Sequence, residues 1–99
     1  MSISTDAAHA LVGGRPFRSC NTTVERWGDG SYAMKLHGSV IARHTPGSAS
    51  IMVRLAGYNT PTTRRRLSAL PGVTCTQVAG TPHLNGAAWC AWTEAQVQI

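Results

Sequence analysis

Apolar and polar positions alternate most cleanly in two places. Tyr32, Met34 and Leu36 alternate with Lys35 and His37, and Ile51, Val53 and Leu55 alternate with Met52 and Arg54. This is the period-two pattern of strands with one buried face. Between them, Val40-Ile41-Ala42-Arg43-His44 has strand composition, as does Thr22-Thr23-Val24-Glu25-Arg26-Trp27 ahead of them. The connections are short and rich in turn formers: Gly28-Asp29-Gly30-Ser31, Gly38-Ser39 and Thr45-Pro46-Gly47-Ser48. Three tight turns joining four strands predict an antiparallel meander.

The pattern then changes period. Asn59, Thr60 and Thr62 are N-cap types, Pro61 suits a first helical position, and Pro71-Gly72 stops a helix two or three turns later. Leu67 and Leu70 share a face, with Thr63 one turn before Leu67, so a narrow stripe docks one short helix on the sheet. Strand composition resumes at Val73-Thr74-Cys75-Thr76-Gln77-Val78, and Asn85-Gly86 marks a type I′ hairpin turn. Residues 90–93 are expected to finish the last strand, with residues 94–99 extending it or fraying. At the other end, Ala7-Ala8-His9-Ala10-Leu11-Val12 suggests a single helical turn or a short strand, interrupted by Gly13-Gly14 and Pro16. The expected organisation is a basic N-terminal arm at residues 1–20, carrying Arg15 and Arg18, and one α+β domain at residues 21–99. That domain is mainly antiparallel sheet: a four-strand meander, one short helix, then a C-terminal hairpin.

Ninety-nine residues make a single domain, and 42% hydrophobic content fits a folded globule. No apolar run approaches the roughly 18 residues of a membrane span, and the first residues lack the basic and apolar regions of a secretory signal. Cys20, Cys75 and Cys90 are odd in number and widely spaced, as expected of reduced thiols. None of the usual zinc spacings joins them to His9, His37, His44 or His83, so neither a metal nor another cofactor is expected. Charge is more informative. The net charge is +5, and no Asp or Glu occurs between Asp29 and Glu94, an interval that holds Lys35, Arg43, Arg54, Arg64, Arg65 and Arg66. Such a surface favours polyanions or acidic protein patches.

Three consecutive arginines at a helix start are unusual, because the positive end of the helix dipole normally attracts Asp or Glu. An anion held there would resolve the conflict; a solvated basic face is the plainer alternative. Outward sheet positions Lys35, Arg54 and Arg43 extend the candidate anion or nucleic-acid surface, with Tyr58 or Trp27 available to stack on a base. No helix-turn-helix, zinc-finger or RNA-recognition signature supports sequence-specific readout. Catalysis is not expected: paired-carboxylate chemistries find no pair in the central segment, and Cys75 or Cys90 beside a histidine reads as core. The rival expectation is a protein target, a host enzyme or a defence complex. Homo-oligomerisation through an open strand edge is a further possibility.

The segments Asn21-Thr22-Thr23-Val24, Leu36-His37-Gly38-Ser39, Thr62-Thr63-Arg64-Arg65-Arg66-Leu67, Leu70-Pro71-Gly72-Val73 and Leu84-Asn85-Gly86-Ala87-Ala88-Trp89 occur here in one order. In that order they resemble a family of small, functionally uncharacterised proteins of tailed bacteriophages, over roughly two thirds of the chain. The resemblance implies a phage protein working in the host bacterial cytoplasm, and it brings no activity with it. Members that look like this often carry Glu where this chain has Arg65, which would complete a capping box with Thr62. An anion site built by the arginine triplet would therefore be particular to this protein.

Overall fold

The computed structural model describes residues 2–99. In chain order the elements are α1 (Ile3–Gly13), β1 (Phe17–Ser19), β2 (Thr22–Arg26), β3 (Tyr32–Leu36), β4 (Ser39–His44), β5 (Ser50–Val53), α2 (Pro61–Ser68), β6 (Cys75–Val78), β7 (Thr81–Leu84), β8 (Ala87–Ala88) and β9 (Ala95–Gln98). The expected meander is β2-β3-β4-β5, the centre of a six-stranded antiparallel sheet ordered β1-β2-β3-β4-β5-β9. A smaller sheet, β6-β7-β8, turns at Asn85-Gly86, where both residues take positive φ (51° and 87°).

Register sorts the large sheet into two faces. Val24 lies opposite Met34, Met34 opposite Ala42, Ala42 opposite Val53, and Ile51 opposite Val97, and all are buried. Both helices pack on this face. Between Met34 and Lys35 the β3–β4 register shifts, so that Ile41 is left between the partners of those two residues. This bulge lets consecutive Ile41 and Ala42 both be buried. On α2, Thr63, Leu67 and Leu70 are buried as the stripe predicted.

Two expectations change. Residues 1–20 are not an arm. Ser2 caps α1, its Oγ accepting from Thr5 N at 3.1 Å, and Gly14 ends the helix in the left-handed region (φ 70°). The glycine pair therefore terminates a three-turn helix instead of preventing it. Ala7, Ala8, Ala10 and Leu11 join the common core, and β1 pairs with β2, setting Phe17 opposite Val24. Alanines conceal such a helix in sequence, because their side chains are too small to register as a strong stripe, yet they allow close approach to the sheet. The fold thus has two helices where one was expected. At the other end, residues 90–93 turn instead of completing a strand, and residues 95–98 form β9 against β5.

Candidate functional site

The face of the large sheet turned away from the helices carries the expected sheet cations. Arg18 lies opposite Thr23, Thr23 opposite Lys35, and Lys35 opposite Val40. Just past β5, Arg54 Nε donates to the Val40 carbonyl at 2.7 Å. Arg18, Lys35 and Arg54 therefore form one row across the sheet, with neighbours about 10 Å apart at the usual strand spacing. The second row sets Glu25 opposite Ala33, Ala33 opposite Arg43, and Arg43 opposite Met52.

Each expected sheet cation meets a carboxylate: Lys35 with Glu25 at 2.7 Å, Arg43 with Asp29 at 3.1 Å, and Arg54 with Glu94 at 3.5 Å. Trp27 joins the first two pairs, its Nε1 donating to Glu25 at 3.2 Å while the Arg43 guanidinium stacks 4.6 Å from its ring centroid. These partners hold Glu25 below its ordinary pKa, chiefly through the hydrogen bond from Lys35 and then that from Trp27. Hydrogen bonds from Ser31 lower Asp29 most, with Arg43 adding to them. Depressed carboxylate values mean stability that is present above the ordinary 4.5 and 3.8 and lost as pH falls through the lowered ones. Thermal melts from pH 6 to pH 2 should therefore show the midpoint falling only below the ordinary carboxylate range. Lys35→Met should remove the larger part of the Glu25 share of that fall, leaving the part due to the Trp27 hydrogen bond.

Trp27, Lys35, Val40, Arg54, Ala56 and Trp92 line a groove of about 490 Å³ on this face, beside the β3–β4 turn. Trp92, 79% exposed, is a site residue that sequence reasoning assigned to a strand. Its indole rests on Gly57: a Cβ there would lie 2.6–2.8 Å from Trp92 Cζ2 and Cζ3, and Gly57 has φ 81°. The Gly57 amide also donates to the Ala91 carbonyl at 2.8 Å, tying the two loops together. Tyr58 is exposed but lines a different pocket, of about 310 Å³, with Leu36, Ile41 and Leu55 as its apolar lining and Thr60 and Thr62 nearby.

The arginine triplet does not form one surface. Thr60 caps α2 and Pro61 opens it, so Arg65 and Arg66 fall in the last turn of an eight-residue helix. Positive charge is favourable there, and the expected conflict with the dipole disappears. The triplet also sits on the helical layer, across the sheet from Lys35, Arg43 and Arg54. Arg64 Nη1 donates to Asn59 Oδ1 at 2.5 Å and to Gln77 Oε1 at 3.1 Å, Arg65 is exposed, and Arg66 is buried. Thr63, Arg66, Leu67 and Leu70 stand at i, i+3, i+4 and i+7, a periodicity that marks Arg66 as inward-facing.

Among the described residues, no helix is long and apolar enough to cross a membrane. No three His, Cys, Asp or Glu among them cluster as metal ligands. No curated protein and no solved structure matches the chain. Residues 1–96 match the family described as Kyanoviridae Gp96 protein, and the chain belongs to this phage family.

Proposed function

We propose that this chain is a small non-catalytic phage accessory protein that binds single-stranded nucleic acid on the uncovered face of its six-stranded sheet, in the host bacterial cytoplasm. One observation carries the reading: Trp27 and Trp92 line a single groove with Lys35 and Arg54. Indoles stack on bases of any identity, at about 1–3 kcal/mol per base, while cations beside them track the backbone. Exposed ion pairs contribute roughly 0–1 kcal/mol, so phosphates can draw Lys35 and Arg54 from Glu25 and Glu94. Single strands are favoured because their unpaired bases can reach the indoles. The proposed surface includes Arg18 and moves from the helix to the sheet.

Fluorescence anisotropy with labelled single- and double-stranded DNA and RNA, between roughly 50 and 200 mM salt, tests this. Single strands should bind more tightly, and Trp92→Ala should weaken them about 5- to 150-fold. Lys35→Ala with Arg54→Ala should flatten the salt dependence by about 0.7 log units for each phosphate no longer neutralised, whereas Arg65→Ala should change little. Absence of binding at the lowest salt would sink the reading.

A second reading, inhibition of a host enzyme or defence complex, is favoured by a different observation. The three ion pairs leave most of this face charge-balanced around the exposed Trp92. Tryptophan and arginine are characteristic anchors of protein interfaces. A host protein whose retention is insensitive to salt and lost with Trp92→Ala would support this reading over the first.

A further inference from the structure

A second hollow opens on the same outward face as the Trp27–Trp92 groove, at the end of the sheet where β4 turns into β5. Arg43, Met52 and Gln96 lie side by side across β4, β5 and β9 and line it. Its volume is about 270 Å³, and no Trp, Tyr or Phe is among the described residues around it. The two hollows adjoin. Arg54 lines the groove and Glu94 this pocket, and the two side chains pair at 3.5 Å. Likewise Trp27 of the groove carries the Arg43 guanidinium of the pocket over its ring.

One side chain of the pocket wall has a polar atom without a partner. His44 is 4% exposed and lines the pocket. Its Nε2 lies 3.0 Å from the Ser48 carbonyl oxygen, which can only accept, so the ring proton sits on Nε2. Nδ1 of the neutral imidazole is then an acceptor, and it is buried with no hydrogen-bond partner among the described residues. Burying such an atom is costly unless something donates to it. The pocket is several times the roughly 30 Å³ share of one water, so it has room for more than a trapped solvent molecule.

The rest of the lining narrows the donor to a neutral hydroxyl. Arg43 and Glu94 already have counter-charges, in Asp29 and Arg54, and their opposite signs leave the pocket without net charge. A phosphate therefore gains more beside Lys35 in the groove. With no indole or phenol to stack on, a base is also better held in the groove. Thr45, Ser50 and Gln96 add hydroxyl and amide groups that both donate and accept, which suits the hydroxyls of a sugar. A strand carries its sugar between base and phosphate, and the 2′-hydroxyl is the donor that distinguishes ribose from deoxyribose.

We propose that this pocket receives a ribose of the strand bound along the sheet, its 2′-hydroxyl donating to His44 Nδ1, so that the protein selects RNA over DNA. The inference rests on the single-strand reading of this face and adds the sugar to it. Deoxyribose has no hydroxyl at that position and leaves Nδ1 unpartnered.

The test is fluorescence anisotropy of the full chain with labelled oligouridylate, its 2′-deoxy counterpart and its 2′-O-methyl counterpart, which share one base and differ only at the 2′ position. Oligouridylate should bind about 2- to 12-fold more tightly than the deoxy strand, the range of one hydrogen bond. The 2′-O-methyl strand keeps the oxygen and loses the proton, and it should bind no better than the deoxy strand. His44→Gln retains a side-chain N–H for the Ser48 carbonyl but removes Nδ1. It should bind the deoxy strand like wild type and lose the preference for oligouridylate. Because the three strands are compared on wild type, the test remains decisive if His44→Gln fails to fold. Equal affinity for oligouridylate and the deoxy strand overturns the proposal and leaves the sheet reading intact. So does a 2′-O-methyl strand bound as tightly as oligouridylate, or the same preference in wild type and a folded His44→Gln. Binding of none of the strands overturns both readings.

Discussion

A chain beginning at Asn21 is expected to lose its cooperative unfolding transition. Its missing segment contributes Leu11, Ala7, Ala8 and Ala10 to the core, each 0–2% exposed. At about 1.5–3 kcal/mol for a buried leucine and about 0.8 kcal/mol for each alanine methyl, that burial amounts to about 4–5 kcal/mol. The deletion also uncovers apolar side chains of the sheet and α2, and removes the β1 edge from β2. Domains of this size are stable by only about 5–15 kcal/mol in total, so little would remain. Circular dichroism during heating checks this: a broad, weak transition is expected in place of a sharp one. Leu11→Ala is the milder version, costing about 2–5 kcal/mol. A truncated chain melting within a degree or two of the full one would restore the view of residues 1–20 as an arm.

The second large effect is expected at Gly72, where the chain leaves α2 for the small sheet. Gly72 has φ 73°, and a Cβ there would lie 2.7 Å from the Gln98 carbonyl oxygen of β9. The left-handed conformation costs a side-chain-bearing residue about 1–2 kcal/mol, and crowding against backbone typically adds about 1–3 kcal/mol. Gly72→Ala should therefore cost about 2–5 kcal/mol. The damage should be local: Gly72 also accepts a hydrogen bond from Asn85 Nδ2 at 3.0 Å, so one residue touches both the β7–β8 turn and the last strand. Amide exchange should accelerate first in β9, at residues 95–98, and at Asn85. Uniform loss of protection across the meander, or no loss at all, would contradict this account.

By itself, the amino-acid sequence determined the parts of this protein that depend on local pattern and turn chemistry. The alternations around Met34 and Val53 set two strands and their buried faces, and short turns left antiparallel pairing as the economical connection. Thr60, Pro61 and the Leu67–Leu70 stripe located α2 and its packed side, and Asn85-Gly86 located a hairpin. The segments resembling a phage family pointed to the family membership. Tertiary structure alone decided the rest. An alanine-rich helix is stabilised by close approach to a sheet, which no hydropathy stripe reveals, so α1 emerged only with its partners in place. β9 likewise pairs with β5 from the far end of the chain, and such pairing leaves no local mark. The candidate site divides along the same line. Lys35 and Arg54 were legible as outward sheet positions through their alternation, and Arg43 only as a further candidate in a segment of strand composition. Their carboxylate partners were not, because Glu94 reaches Arg54 only after the chain has folded back. Three adjacent arginines look alike in a sequence, but a helix turns about 100° per residue. That rotation aims Arg64 at Asn59 and Gln77, exposes Arg65, and buries Arg66 against Ser4 and Thr22.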